Sequence, residues 1–178
     1  AHLVAAIHHL QSSNFNRRNT LNLLESGLRD LQLTIDSLEP IEQDLTTLLG
    51  AFRYRIADSM RSAGIRLHWA IDEDIPAIPY LDARNCLHVL RIVQEIFTNI
   101  LKHAQASEVS VEVSRGPKYV GVQIQDNGVG FEMDAQHPGR GLNNLNQRAA
   151  SLGGSIDMST ASGRGTRYLL KLPLNFQT

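Results

Sequence analysis

Val120-Gly121-Val122-Gln123-Ile124-Gln125-Asp126-Asn127-Gly128-Val129-Gly130-Phe131 is the stretch whose reading fixes the rest of the chain. Val120, Val122 and Ile124 alternate with other residues, the period of a strand with one buried face. Asp126 stands at the end of that strand, and Gly128 and Gly130 form the turn that follows. Glycine admits positive φ and close approach of a ligand to the backbone. The Asp126 carboxylate can accept a hydrogen bond from an amino group such as the exocyclic amine of adenine. The spacing is not a Walker A loop, which needs Gly-Lys-Ser/Thr, nor a dinucleotide fingerprint, which needs a third glycine opening a helix. Read alone, it is equally an ordinary turn.

Upstream, Val109, Val111 and Val113 also alternate, and Arg115-Gly116-Pro117-Lys118 makes the turn of a hairpin. Before it the pattern predicts a long helix over 82–104. Leu87, Leu90, Val93, Ile96, Phe97, Ile100 and Leu101 cover most of its circumference, so it should be largely buried. Glu95, Asn99 and His103 recur every four residues and stack as one polar stripe. A carboxylate and an amide in apolar surroundings cost about 1–3 kcal/mol each if left without partners. Oxygen ligands at this spacing suit a hard cation such as Mg²⁺, which takes few protein ligands together with phosphates and water. A solvated helix face is the alternative. Further back, Ile65, Leu67, Trp69 and Ile71 read as a half-buried strand, and 72–80, with two prolines, as a loop. Leu45, Leu48, Leu49, Phe52, Ile56 and Met60 form one helical face, with Gly64 as the stop.

Downstream, Gly139-Arg140-Gly141-Leu142 stands immediately before a helix. Backbone N–H groups at such a start, on a glycine-rich approach, form an anion site. Residues 132–138 before it read as a lid. The helix carries Leu142, Leu145, Ala149 and Leu152 on one face and ends at Gly153-Gly154. Two strands, around 156–158 and 168–172, are joined by Ser162-Gly163-Arg164-Gly165-Thr166, a tight hairpin if read alone. From Ile65 onward the pattern is an α+β domain, a mixed sheet with helices on one face.

The first third is different. Leu3, Ala6, Ile7 and Leu10 form a short helical stripe, and Leu21, Leu24, Leu28, Leu31, Ile35 and Leu38 follow a heptad seam ended by Glu39-Pro40. Under three heptads is short for a free coiled coil. An antiparallel hairpin paired with a second copy as a four-helix bundle would bury both stripes, and an intramolecular helical subdomain is the alternative. Composition narrows the function classes. The 178 residues carry 17 Lys+Arg against 18 Asp+Glu, a net charge of -1, and 42% apolar residues. That balance removes the case for a nucleic-acid binder. Cys86 is the only cysteine, so no internal disulfide and no multi-cysteine zinc site can form. No apolar run approaches the roughly 20 residues that cross a bilayer, and the first residues lack a signal-peptide pattern.

Glu95-x3-Asn99-x2-Lys102-His103-Ala104, Asp126-x-Gly128-x-Gly130, Gly139-x-Gly141-Leu142 and Gly163-x-Gly165-Thr166 together resemble the N, G1, G2 and final glycine-threonine boxes of the GHKL ATP-binding (Bergerat) fold. Within it the chain is most similar to two-component sensor histidine kinases, the subgroup partnered with NarL/LuxR-type response regulators. The likeness rests on Asn99-Ile100-Leu101-Lys102-His103-Ala104-Gln105-Ala106-Ser107 and covers roughly residues 65–174. It implies a two-layer α/β sandwich with a mixed sheet, preceded by a helical dimerisation hairpin: residues 1–62 as hairpin remnant and connecting helix, 63–178 as the ATP-binding catalytic domain.

By that resemblance, Asp126 binds the adenine amine and Gly128 and Gly130 shape the base pocket. Asn99 ligates Mg²⁺ on the triphosphate of ATP, and Glu95 holds a metal-bound water or assists proton transfer. Lys102 and His103 lie near phosphates or ribose. Gly139, Arg140, Gly141 and Leu142 close over the phosphates, and Thr166 supports the adenine pocket from the sheet. Phosphoryl transfer needs mainly positioning and charge neutralisation, which these parts supply. The implied reaction carries the γ-phosphoryl to a histidine and on to a response-regulator aspartate, in a homodimer on the cytoplasmic side of a membrane-anchored bacterial sensor. The family's acceptor histidine precedes an acid, and none of His2, His8 and His9 does. The register of Ala1-His2-Leu3-Val4 places the acceptor upstream, so the expectation is a chain that binds ATP without phosphorylating itself. The alternatives are a nucleotide-regulated interaction module, such as an anti-sigma-type serine kinase or an inactive relative, and a purely structural helical dimeriser.

Overall fold

Asp44 begins the first helix, α1 (Leu45–Ser62), by accepting the Thr47 N–H at 3.0 Å, together with the hydroxyls of Thr46 and Thr47. The computed structural model describes residues 44–132 and 140–175, apart from the side chain of Arg140. The expected helical stripes of residues 3–38, the lid beyond Glu132 and Gly139 lie outside the described residues. All described residues belong to one unit, Glu42–Thr178.

The expected apolar face of α1 is buried at Leu45, Leu48, Leu49, Phe52 and Met60, and the Phe52 ring stands 5.3 Å from that of Phe97, tilted by 60°. The helix stops as a Schellman motif. Gly64, at φ +73°, follows the cap, its N–H bonds the Arg61 carbonyl, and the Ile65 N–H bonds the Met60 carbonyl.

Next come β1 (Arg66–Ile71), the loop with two prolines, α2 (Ala83–Asn99), β2 (Glu108–Arg115) and β3 (Tyr119–Asp126). Then follow α3 (Arg140–Ser151), β4 (Ser155–Thr160) and β5 (Thr166–Pro173). Five strands form one sheet in the order β1-β2-β3-β5-β4. The pair β1/β2 is parallel, with α2 as its crossover, and the other three pairs are antiparallel, so the sheet is mixed as expected.

The sheet buries one face only. Val109, Val111, Val113, Val120, Val122, Ile124, Leu170 and Leu172 are all at most 1% exposed, packed under α2 and α3, whose own Val93, Ile96, Phe97, Leu145 and Ala149 are equally buried. Glu112, Gln125, Asp157 and Arg167 on the other face are exposed. The result is a two-layer sandwich.

One expectation about the end of α2 needs correction. Leu87 is half-buried and Leu101 is 38% exposed, whereas Cys86, Val89 and Ile92 are fully buried. No residue from Asn85 to Ile100 is exposed, so the helix is largely buried as expected, with Leu87 on its half-buried flank and Leu101 beyond it. Its C-terminal turn, Ile100–Ala104, also widens into a π-helix, which turns Leu101 outward.

Candidate functional site

The site forms where the buried face of the sheet runs out of apolar residues. Asp126, the last residue of β3, is 2% exposed. Its Oδ1 accepts the Gly128 N–H at 2.9 Å, and the Thr166 N–H also bonds the carboxylate. Burial pushes its pKa above the ordinary carboxylate value, and these two backbone N–H bonds pull it back only in part. Thr166, 6% exposed, is the directly opposed residue on β5. Among the described residues these two are buried together with Tyr168, whose ring carries a hydroxyl into the same region. A carboxylate held this way is set up to receive a further donor from the cavity it faces.

The helical wall comes from the π turn. An extra residue in the turn re-aims the backbone, and such turns cluster at functional sites. Gln105 ends it with φ +52°. Asn99, at the junction of α2 and the π turn, is half-buried, and its side-chain amide hydrogen-bonds the Tyr168 hydroxyl. Burial raises the Tyr168 pKa, reinforced by the negative charges of Asp126 and Glu95. Glu95, one turn before Asn99, is half-buried, and its Oε1 would lie 3.5 Å from a Cβ built on Gly141. The start of α3 therefore abuts the Glu95 carboxylate, an attractive pairing of a negative charge with a helix N-terminus.

Backbone packing explains two of the glycines. A Cβ on Gly128 would fall 2.1 Å from the Ala104 carbonyl oxygen, the same oxygen that accepts the Val129 N–H at 2.8 Å. A Cβ on Gly130, at φ +58°, would fall 2.0 Å from the Ala161 oxygen. The glycine loop is thus clamped between the π turn and the β4–β5 turn, where Gly163 N–H bonds the Val129 carbonyl at 2.6 Å. Gly128 serves a close approach of backbone to backbone, where the sequence suggested an approach of ligand to backbone.

Together these elements enclose a cavity of about 330 Å³ lined by Asn99, His103, Asp126, Gly130 and Thr166 from the sequence-derived set, with Ile100, Ala104, Phe131 and Tyr168 added. Lys102 is exposed and, with Gly128, Glu95, Gly141 and Leu142, stands outside that lining. The Arg140 side chain and Gly139 lie outside the described residues. Tyr168 and Phe131 escaped sequence reasoning, as did Thr160. The Thr160 Oγ1 accepts the Phe131 N–H at 3.1 Å and donates to the Gly165 carbonyl at 3.0 Å. The signal for Tyr168 was present, since it lies two residues from Thr166 on the same strand and so on the same face.

Known proteins resemble this chain in sequence and in fold. Residues 85–175 match the family described as histidine kinase-, DNA gyrase B- and HSP90-like ATPase. The sensor histidine kinase LiaS of Bacillus subtilis (strain 168) is 30% identical over 135 residues, covering 75% of this chain and 34% of LiaS, so the chain spans about a third of that relative's length. The structure of the Acinetobacter baumannii histidine kinase AdeS superposes with a TM-score of 0.65 at 16% identity, covering 99% of this chain and 96% of AdeS. Full-length ShkA in complex with AMPPNP gives 0.61 at 23% identity, covering 88% of this chain and 38% of ShkA. These structural likenesses fix the fold, the GHKL sandwich. With its sheet order, its two buried polar side chains at the strand ends and a match over half its length, the protein belongs to the histidine kinase-, DNA gyrase B- and HSP90-like ATPase family.

Proposed function

We propose that the chain is the ATP-binding catalytic part of a two-component sensor histidine kinase, with residues 63–178 holding the nucleotide and 1–62 supplying dimerisation helices and a connection. The observation that carries this reading is the buried Asp126 carboxylate facing a cavity of about 330 Å³, within the range of small-molecule sites. A carboxylate already holding two backbone N–H donors retains acceptor capacity for an exocyclic amine. Gly130, Phe131 and Thr166 bound the base on the loop and strand sides, and Ile100 and Ala104 on the helix side.

The polar end of the cavity suits phosphates and a cation. Among the described residues no three His, Cys, Asp or Glu come together as a metal site. A cation there therefore draws most of its ligands from phosphates and water, the habit of Mg²⁺. Asn99 would hold it through the amide oxygen, and Glu95 would hold a water of its shell. When bound, Mg²⁺ neutralises charge on the triphosphate. His103 and Lys102 sit on the exposed side of the π turn, where a cationic group meets ribose or phosphate. Gly141 and Leu142 stand in the first turn of α3, whose free N–H groups would serve the phosphates, with Gly139 and Arg140 contributing as the resemblance implies. Asn99, tied to Tyr168, keeps its amide oriented.

The parent protein then transfers the γ-phosphoryl to a histidine and on to an aspartate of a NarL/LuxR-type response regulator. It works as a homodimer on the cytoplasmic side of a membrane-anchored sensor. The similarity to LiaS supports the kinase reading. No described helix is itself long and apolar enough to cross a membrane. The deciding measurement is calorimetric titration of the chain with ATP, with and without Mg²⁺. Binding that strengthens with Mg²⁺ and is severely weakened by Asp126→Asn and by Asn99→Asp is the expected outcome. No binding by the wild type at millimolar ATP sinks the reading.

A further inference from the structure

The strand ends that carry Asp126 have a second cavity on their other side. β3 and β5 pair Asp126 with Thr166 and, one residue along, Gln125 with Arg167. Side chains alternate across a sheet, so the two pairs face opposite ways. The first pair is buried and the second is exposed. Around the second pair lies a cavity of about 300 Å³, completed by Ser159, Thr160 and Arg164, with Thr166 in the wall it shares with the first cavity.

The chemistry of this lining has one sign. Two arginines line it and no carboxylate does. The Arg164 side chain makes no hydrogen bond or ion pair among the described residues. Arg167 reaches Ser159 Oγ and Gln123 Oε1 only at 3.4 Å each, at the long limit of a hydrogen bond, so a better acceptor displaces these contacts easily. Ser159 retains its O–H to donate, and Gln125 brings an amide NH₂. Two guanidinium forks with a hydroxyl and an amide form the donor set of a tetrahedral oxyanion. The volume exceeds what a bare phosphate ion fills and lies at the small end of organic ligand sites.

We propose that this cavity binds a phosphoryl dianion, as a small phosphate monoester or as phosphate itself, back to back with the cavity that faces Asp126. The proposal is independent of whether the first cavity takes ATP. It is tested on the whole 178-residue chain by following backbone amide shifts in ¹H–¹⁵N spectra. Inorganic phosphate and glycerol 2-phosphate are titrated separately, against a sodium chloride series of equal ionic strength. Saturable shifts centred on Ser159, Arg164 and Arg167 are expected. The double variant Arg164→Gln, Arg167→Gln should weaken binding about tenfold or more, while Arg66→Gln, on the same face but ion-paired with Glu108, should leave it unchanged. Tighter binding of glycerol 2-phosphate identifies a monoester as the occupant, and equal binding identifies the phosphoryl group alone; either supports the site. A linear response, an equal response to chloride, shifts centred on Asn99 and His103, or indifference to the double variant overturns it.

Discussion

Along β3 and β5 the same inward-facing positions pass from core to site without a change of geometry. Val120, Val122 and Ile124 on β3 and Leu170 and Leu172 on β5 are 0–1% exposed, and the next inward positions toward the loops are Asp126, Thr166 and Tyr168. In the first region burial is favourable by itself, at about 25 cal/mol per Å² of apolar surface. In the second, burial is a cost. It raises the Asp126 and Tyr168 pKa values, and hydrogen bonds from Gly128, Thr166 and Asn99 compensate only partly. The sandwich thus stabilises itself at one end of its strands and holds a polar cavity at the other, the usual relation between stability and binding in a folded domain.

Four substitutions sharpen that contrast. Phe97→Ala, in the core where Phe97 packs on Phe52, should cost about 3–5 kcal/mol of unfolding free energy. It should be seen as a lower urea midpoint, and a loss below about 1 kcal/mol would show that the core can collapse around the gap. Asp126→Asn should do the opposite: ATP affinity falls about a hundredfold or more, near 2.7 kcal/mol, while the urea midpoint at neutral pH changes little. A collapse of stability instead would make Asp126 part of the core. Ile124→Val, one inward position earlier, should cost about 0.5–1.5 kcal/mol of stability and leave ATP affinity unchanged. On the outer face, Lys171→Ala breaks the pair with Asp157 at 2.7 Å and should leave the midpoint within experimental error, because both groups are solvated and the pair is screened.

The pH dependence of the unliganded chain separates the two regions as well. Asp126 has a folded-state pKa above its unfolded value, so it favours the folded state most where it is protonated in both. That contribution is complete below the ordinary carboxylate value of 3.8 and is lost as pH rises through the raised folded value. The stability of wild type relative to Asp126→Asn should therefore be greatest at the acid end and fall across the window above 3.8, read as urea midpoints of both proteins. A difference that grows with pH would mean that the two N–H bonds outweigh burial.

Much of this arrangement is readable without coordinates. The period of two through Val120, Val122 and Ile124 continues to Asp126 and already puts a carboxylate on the buried face. The apolar spacing of α1 and α3, the stop at Gly64 and the two hairpins follow from propensity and turn chemistry. Leu101 escaped the pattern because period alone does not show where a helix end leaves its packing. The π turn escaped it because nothing in Ile100-Leu101-Lys102-His103-Ala104 distinguishes 3.6 residues per turn from a wider one.

Local period by itself determined a mixed α+β domain from Ile65 onward, since period acts over a few residues, and the resemblance of the four short motifs to the GHKL boxes implied the sandwich. Only the tertiary structure decided what each polar group meets. Gly128 answers to the Ala104 carbonyl 24 positions earlier in the chain, and Asn99 meets Tyr168, 69 positions later, on the inward face of β5. The cavity around Asp126 exists because three distant loops are clamped to one another by backbone hydrogen bonds. Contacts between residues so far apart leave no period in the sequence, so folding alone brings them together.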